Sequence, residues 1–128
     1  MSKEPGIRSY RDLRIWQDAM DLAEMGYKLT RTFPREEMFG LAAQIRRAAA
    51  SIPANIAEGH GRENTQFFIQ YLRIAQGSIK ELETHLMLAE RVGVIAKGSI
   101  EEPLRASESL GKMVRLLIRS LQEKTRKS

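Results

Sequence analysis

Three short clusters of helix breakers constrain this chain more than any other feature: Phe33–Glu37 around Pro34, Gly59–Glu63, and Gly93–Gly98. Between them, apolar residues recur at steps of three and four, the spacing of one face of an α-helix. The four Phe and three Tyr lie in no alternating run of the kind that marks a strand. The fold class is therefore all-α. Links this short between long helices force antiparallel neighbours, so the spacing predicts an up-down-up-down four-helix bundle, a single domain over residues 1–128. A helix of about 25 residues would run roughly 37 Å.

The predicted helices cover about 9–32, 37–58, 64–92 and 99–124. Ser9 is the expected N-cap of the first, with Asp12 in its first turn and an apolar stripe of Leu13, Trp16, Met20, Ala23 and Tyr27. Pro34 ends it. The second helix places Glu36 and Glu37 at its start, carries Met38, Leu41, Ala42, Ile45, Ala49, Ile52 and Ile56 on its apolar face, and stops at Gly59 and Gly61. The third has Phe68, Tyr71, Leu72, Ala75, Ile79, Leu82, Leu86 and Ala89 in its stripe and Gly93 as its C-cap. Gly77 interrupts it, which predicts that a neighbouring backbone comes close. Ser99-Ile100-Glu101-Glu102 has the capping-box spacing, with Pro103 in the first turn of the fourth helix and Leu110, Met113, Val114, Leu117, Ile118 and Leu121 on its apolar side.

With 42% hydrophobic and 29% charged residues the composition is that of an ordinary soluble protein. There are no cysteines, which excludes disulfides and thiolate metal sites. No apolar run approaches the roughly 20 residues that span a bilayer. The opening Met1-Ser2-Lys3-Glu4-Pro5-Gly6 has no secretion-signal core, so a cytoplasmic protein without a membrane partner is expected. The net charge is +5, and it is unevenly placed. Residues 111–128 carry Lys112, Arg115, Arg119, Lys124, Arg126 and Lys127 against the single acid Glu123, a surplus equal to that of the whole chain. Lys112, Arg115, Arg119 and Arg126 share one helix face and form a candidate nucleic-acid-binding stripe through phosphate contacts. A solvated helix end complementing the helix dipole explains the same residues. The aromatics, Trp16 and the phenylalanines included, sit at core spacing, so base-specific readout is not expected.

Catalytic patterns are missing. A di-iron bundle needs Glu-x-x-His pairs, and neither His60 nor His85 follows a glutamate by three. Glu81 and His85 make only a two-residue edge, too little for a metal. Ser51 and Ser78 fall in helices rather than on a strained turn. The glycine-rich Glu58-Gly59-His60-Gly61-Arg62 has no lysine and no strand before it, unlike a phosphate loop. Neither catalytic activity nor a cofactor is expected.

The most unusual stretch is Ser51-Ile52-Pro53-Ala54-Asn55-Ile56-Ala57-Glu58-Gly59. Pro53 frees the carbonyl of Ala49, which the Ser51 hydroxyl or a water would satisfy. Arg47, Ser51, Asn55, Glu58 and Arg62 share one face, and on the third helix Ser78, Glu81 and His85 continue the line of Phe67, Tyr71 and Ile74. Pairing about Gly61 sets Asn55, Ser51 and Arg47 near Phe67 to Ile74, with Ser78 nearby. Two readings stand side by side: a solvated polar edge, or a partly buried network of Arg47, Ser51, Asn55, Glu58, Ser78 and Glu81 that fixes register or a subunit contact.

Several ordered stretches carry a family resemblance: Tyr10-Arg11-Asp12-Leu13-Arg14-Ile15-Trp16-Gln17, Phe39-Gly40-Leu41, Gln44 to Ala49, Ser51 to Gly59, and Gly77-Ser78 followed by Glu81-Leu82-Glu83-Thr84. Over about Tyr10 to Ile95 the chain resembles the four-helix bundle proteins named for the intervening sequences of 23S rRNA genes. It is also similar to the accessory protein of diversity-generating retroelements. The resemblance implies a ring-shaped homopentamer with no catalytic activity, and a basic barrel that binds RNA or DNA and a partner protein. It assigns structural roles to Glu58, Gly59, Gly77 and Ser78. The competing expectation is a protein–protein scaffold ring with no nucleic-acid role.

Overall fold

In the computed structural model, which describes residues 9–127, the chain forms four α-helices and, among the described residues, no strand. They are α1 (Arg14–Thr30), α2 (Leu41–Gly61), α3 (Thr65–Arg91) and α4 (Glu101–Lys127). Each helix packs on its neighbours in the chain, and α1 closes the ring against α4. Thr30 meets Arg46 between α1 and α2, Ser51 meets Ser78 between α2 and α3, and Glu83 meets Ser107 between α3 and α4. With Glu58 also meeting Tyr71, the α2–α3 pairing runs antiparallel, as their short link requires.

The core forms where the four apolar faces converge. Leu22, Ile45, Ile52, Ile56, Leu72, Ile79, Leu82, Leu86, Leu110 and Val114 are all essentially inaccessible. Each such side chain contributes about 1.5–3 kcal/mol of burial. The alignment of these positions at helical spacing is why the segments are helices at all: α3 has Asn64 accepting from the Phe67 amide at its start. At its end Gly93 takes φ +80. There the Val94 amide donates to Ala89 and the Gly93 amide to Glu90, which closes the last turn.

The structure corrects the sequence reading at four places. The first helix does not run from Ser9. Ser9 caps a separate 3-10 turn, Tyr10–Asp12, through a capping box with Asp12, and Leu13 is extended at φ −74, ψ 126. The Gln17 amide donates to the Arg11 carbonyl, and Tyr10 packs edge-on against Trp16 at 5.3 Å, which holds this turn against α1.

The buried stripe of α1 is also different. Ile15, Ala19, Leu22, Gly26 and Thr30 face inward, whereas Met20 and Tyr27 are 45% and 40% exposed. α1 and α2 meet through small side chains: a Cβ on Gly26 would lie in van der Waals contact with the Ala49 Cβ, at 3.4 Å. Small residues therefore occupy the contact with α2, and a search for large apolar side chains passes over them. The buried Thr30 hydroxyl is satisfied, donating to the Tyr27 carbonyl and accepting from Arg46 Nε at 2.8 Å.

Pro34 and the two glutamates that follow it belong to a 3-10 turn, Arg35–Glu37, and α2 begins only at Leu41. At its other end α2 passes through Gly59 to Gly61, and the chain turns at Glu63, φ +53. Finally, α4 starts at Glu101, so Ile100 rather than Ser99 precedes its first residue. No helix among the described residues is long and apolar enough to cross a membrane.

Candidate functional site

Two surfaces bring the singled-out polar residues together. The first is the seam between α2 and α3. Because the chain turns at Arg62–Asn64 rather than at Gly61, Ser51 lies opposite Ser78, their hydroxyls 2.7 Å apart. Asn55 Nδ2 donates to the Ser51 carbonyl at 2.8 Å and lies 3.0 Å from its hydroxyl. Ser51 therefore reaches across the interface and does not turn back to the carbonyl freed by Pro53. Ser78 is buried, and its hydroxyl is satisfied.

One turn further, Gly59 explains the close contact in the seam. A Cβ there would stand 2.6 Å from the Tyr71 Cβ and 3.2 Å from the Phe68 ring. Only glycine lets α3 come this near. Tyr71 then reaches past it, donating its hydroxyl proton to Glu58 Oε2 at 3.0 Å and accepting from Arg62 at 2.9 Å. The Arg62 guanidinium also lies over the Tyr71 and Phe67 rings, 5.4 Å from each centroid. Glu58 and Arg62 are about half exposed, so their ion pair at 3.6 Å adds little stability; it positions Tyr71.

The predicted network is thus two clusters, Ser51–Asn55–Ser78 and Glu58–Arg62–Tyr71. Arg47 is exposed and bonds Gln44 within its own helix. Glu81 sits 3.7 Å from His85 Nε2, while His85 Nδ1 is buried with no hydrogen-bond partner among the described residues. Gly77 plays the opposite role to Gly59: no described atom of another helix lies within 4 Å of where its Cβ would be. The close approach of a neighbouring helix is instead at Gly59, against the Tyr71 Cβ.

Sequence reasoning missed three participants. Helical spacing puts Tyr71 in the apolar stripe, yet its hydroxyl is the hub of the Glu58 cluster. The other two are Glu83 and Ser107, a buried pair between α3 and α4. The Ser107 hydroxyl donates to Glu83 Oε2 at 2.7 Å, and Lys80 Nζ approaches the other oxygen at 3.3 Å. Their signal was available: Ser107 lies at helical spacing between Pro103 and Leu110, a polar residue on an apolar face. Two phenylalanines expected in the core lie outside it, Phe39 at 98% and Phe67 at 44% exposure.

The second surface is basic. Lys112, Arg115 and Arg119 are exposed on α4, and none of them forms an ion pair among the described residues. Arg126 does not join this free row, since it binds Glu123 at 2.6 Å. In its place the fold supplies two cations from α3. Arg73 and Lys80 line the same groove as Lys112 and Arg115, a space of about 700 Å³ between α3 and α4. Glu108 is the acid among its lining residues, and Gly77 and Gly111 contribute no side chain to it. Arg73 is also unpaired among the described residues, while Lys80 leans on Glu83. Such a surface can hold anionic oxygens without reading bases. No group of three or more metal-ligating side chains occurs among the described residues.

Comparison with known proteins gives the same picture of relatedness. The family model for the 23S rRNA-intervening sequence protein matches residues 11–115. A solved structure from Bacteroides thetaiotaomicron VPI-5482, a protein of unknown function from the S23 ribosomal protein family, is 26% identical, with a TM-score of 0.72. The alignment covers 81% of this chain and 97% of that one. No curated protein matches the chain.

Proposed function

The chain belongs to the 23S rRNA-intervening sequence protein family, and on that premise we propose that it is a non-enzymatic, self-assembling helical bundle that holds nucleic acid by its phosphates. The observation that carries this reading is the row of unpaired cations Lys112, Arg115 and Arg119 on α4, joined across the groove by Arg73. Desolvated phosphates gain charge-assisted hydrogen bonds there, and bound counterions are released from the nucleic acid.

Self-assembly is supported by apolar side chains that a lone bundle leaves wet. Ile74 and Leu88 on α3, and Val92 at its C-cap, are 51%, 43% and 58% exposed and lie along one side of the helix. A second copy covering this face would bury it, and in a ring of five, the number the family resemblance supplies, each basic row would be repeated with a gain in avidity. A scaffold reading, with a different protein on the α3 face and no nucleic acid, draws on the same exposed side chains.

Two measurements test these readings. Fluorescence anisotropy of a labelled RNA should show binding at about 50 mM salt that weakens steeply by about 200 mM. No binding at the lower salt by the assembled protein refutes the nucleic-acid reading and leaves the scaffold. Light scattering should give a mass several times the 14.6 kDa of one copy; a monodisperse single copy refutes self-assembly.

A further inference from the structure

Two helix-interior glycines remain without a packing reason. Gly77 and Gly111 lie well inside α3 and α4, where glycine costs helix stability. At Gly59 the neighbouring Tyr71 Cβ explains the residue; at Gly77 and Gly111 no described atom of another helix lies within 4 Å of a built Cβ. Both face the groove between α3 and α4. A longer side chain at either position would project into that groove.

The groove's walls say what it admits. Arg73 and Lys80 stand on one side and Lys112 and Arg115 on the other, opposed by Glu108. Arg73 and Lys80 are two helical turns apart, roughly 10 Å along the axis. A lone phosphate ion could touch one end of this arrangement. A chain of phosphates in series touches both walls along its length. Arg73 also borders a second recess, of about 390 Å³, lined by the half-exposed Phe67 with Gln66 and Gln70, and Arg62 covers only one face of the Phe67 ring. A ring face with flanking amides suits an unpaired base.

We propose that the α3/α4 groove seats one single strand of nucleic acid, with its phosphates on Arg73, Lys112 and Arg115, and that Gly77 and Gly111 are kept small to admit it. The inference rests on the nucleic-acid reading above and adds to it: the strand enters a groove, and a duplex, too wide to do so, binds less well.

The test compares the full-length protein with the double variant Gly77→Gln/Gly111→Gln, which keeps every charge and replaces both glycines by a better helix former. The probe is a labelled oligouridylate of about 12 nucleotides, within the range that single-strand sites cover. A hairpin duplex and an oligoglutamate serve as comparisons. The variant should bind the strand about tenfold more weakly, a difference of about 1.4 kcal/mol, and melt no lower than wild type. Wild type should prefer the strand to the hairpin.

Equal strand binding by wild type and variant overturns the groove assignment while leaving a basic-face mode intact. Equal binding of strand and hairpin overturns the single-strand seat, and oligoglutamate bound as tightly as RNA assigns the groove to an acidic protein instead. Absence of any RNA binding by wild type removes both this inference and the reading beneath it. If the double variant melts below wild type, the pair Gly77→Ala/Gly111→Ala decides in its place: it should weaken strand binding by about threefold, and unchanged binding overturns the proposal.

Discussion

Replacing Gly59 by alanine should destabilise this protein, whereas the same change at Gly77 should stabilise it. The added Cβ at position 59 would lie 2.6 Å from the Tyr71 Cβ, 3.2 Å from the Phe68 ring and 3.3 Å from Tyr71 Cγ. Carbon atoms in contact prefer about 3.5–4.0 Å, so the nearest contact falls short by about 1 Å. The opposing atom is fixed to a helix backbone, so relief requires α2 and α3 to move apart. These two helices form the most extensive contact in the fold. Overpacking of this kind costs about 1–3 kcal/mol, and the rigid partner puts Gly59→Ala near the upper end. The intrinsic gain from glycine to alanine, at most about 1 kcal/mol, opposes it. The expected net loss is about 2 kcal/mol, a fall in melting temperature of roughly 6–10 °C for a chain of this length. At Gly77 nothing opposes the propensity gain, so Gly77→Ala should raise the melting temperature by roughly 3–5 °C. Thermal melts followed by circular dichroism, at one fixed protein concentration because self-association shifts the midpoint, measure both. Tyr71→Ala in the Gly59→Ala background leaves the Cβ contact in place and should not restore stability. A Gly59→Ala protein that melts at or above wild type refutes the close-approach account of the α2–α3 seam.

Other outcomes follow from the same geometry. Ser107→Ala strips the buried Glu83 carboxylate of its 2.7 Å donor and should lower stability by about 1.5–3 kcal/mol in urea unfolding; a change below about 0.5 kcal/mol would show that the carboxylate is solvated. Ser51→Ala breaks the hydroxyl pair with Ser78 and should cost about 1 kcal/mol, while Arg47→Ala, exposed and outside that cluster, should stay within about 0.5 kcal/mol by the same assay. Lys112→Ala and Arg115→Ala should each weaken RNA binding and flatten its logarithmic salt dependence by about one unit in anisotropy titrations. Arg126→Ala, whose guanidinium is held by Glu123, should change that slope less than either.

Much of the fold is a local property of the chain and could be read directly. Apolar spacing and the breakers at Pro34, Gly59–Glu63 and Gly93 depend on residues within a few positions of one another. They fix four helices, their approximate ends and, through the short links, their antiparallel order. The polar positions Ser51, Asn55, Glu58 and Ser78 were visible as departures from an apolar face. What they bond was not, because a contact between helices depends on register, and here register is set by a turn at Arg62–Asn64 and by the absence of a side chain at Gly59.

The tertiary structure alone decided that α1 turns its small residues inward, that Glu83 meets Ser107, and that Arg73 and Lys80 face Lys112 and Arg115 across one groove. It also moved the close approach from Gly77 to Gly59: Gly59 is required by a neighbouring helix, while Gly77 and Gly111 face open space. Periodicity specifies which way a side chain points around its own axis. How far away the next helix lies, and which residue it presents, depends on the packing of all four helices together.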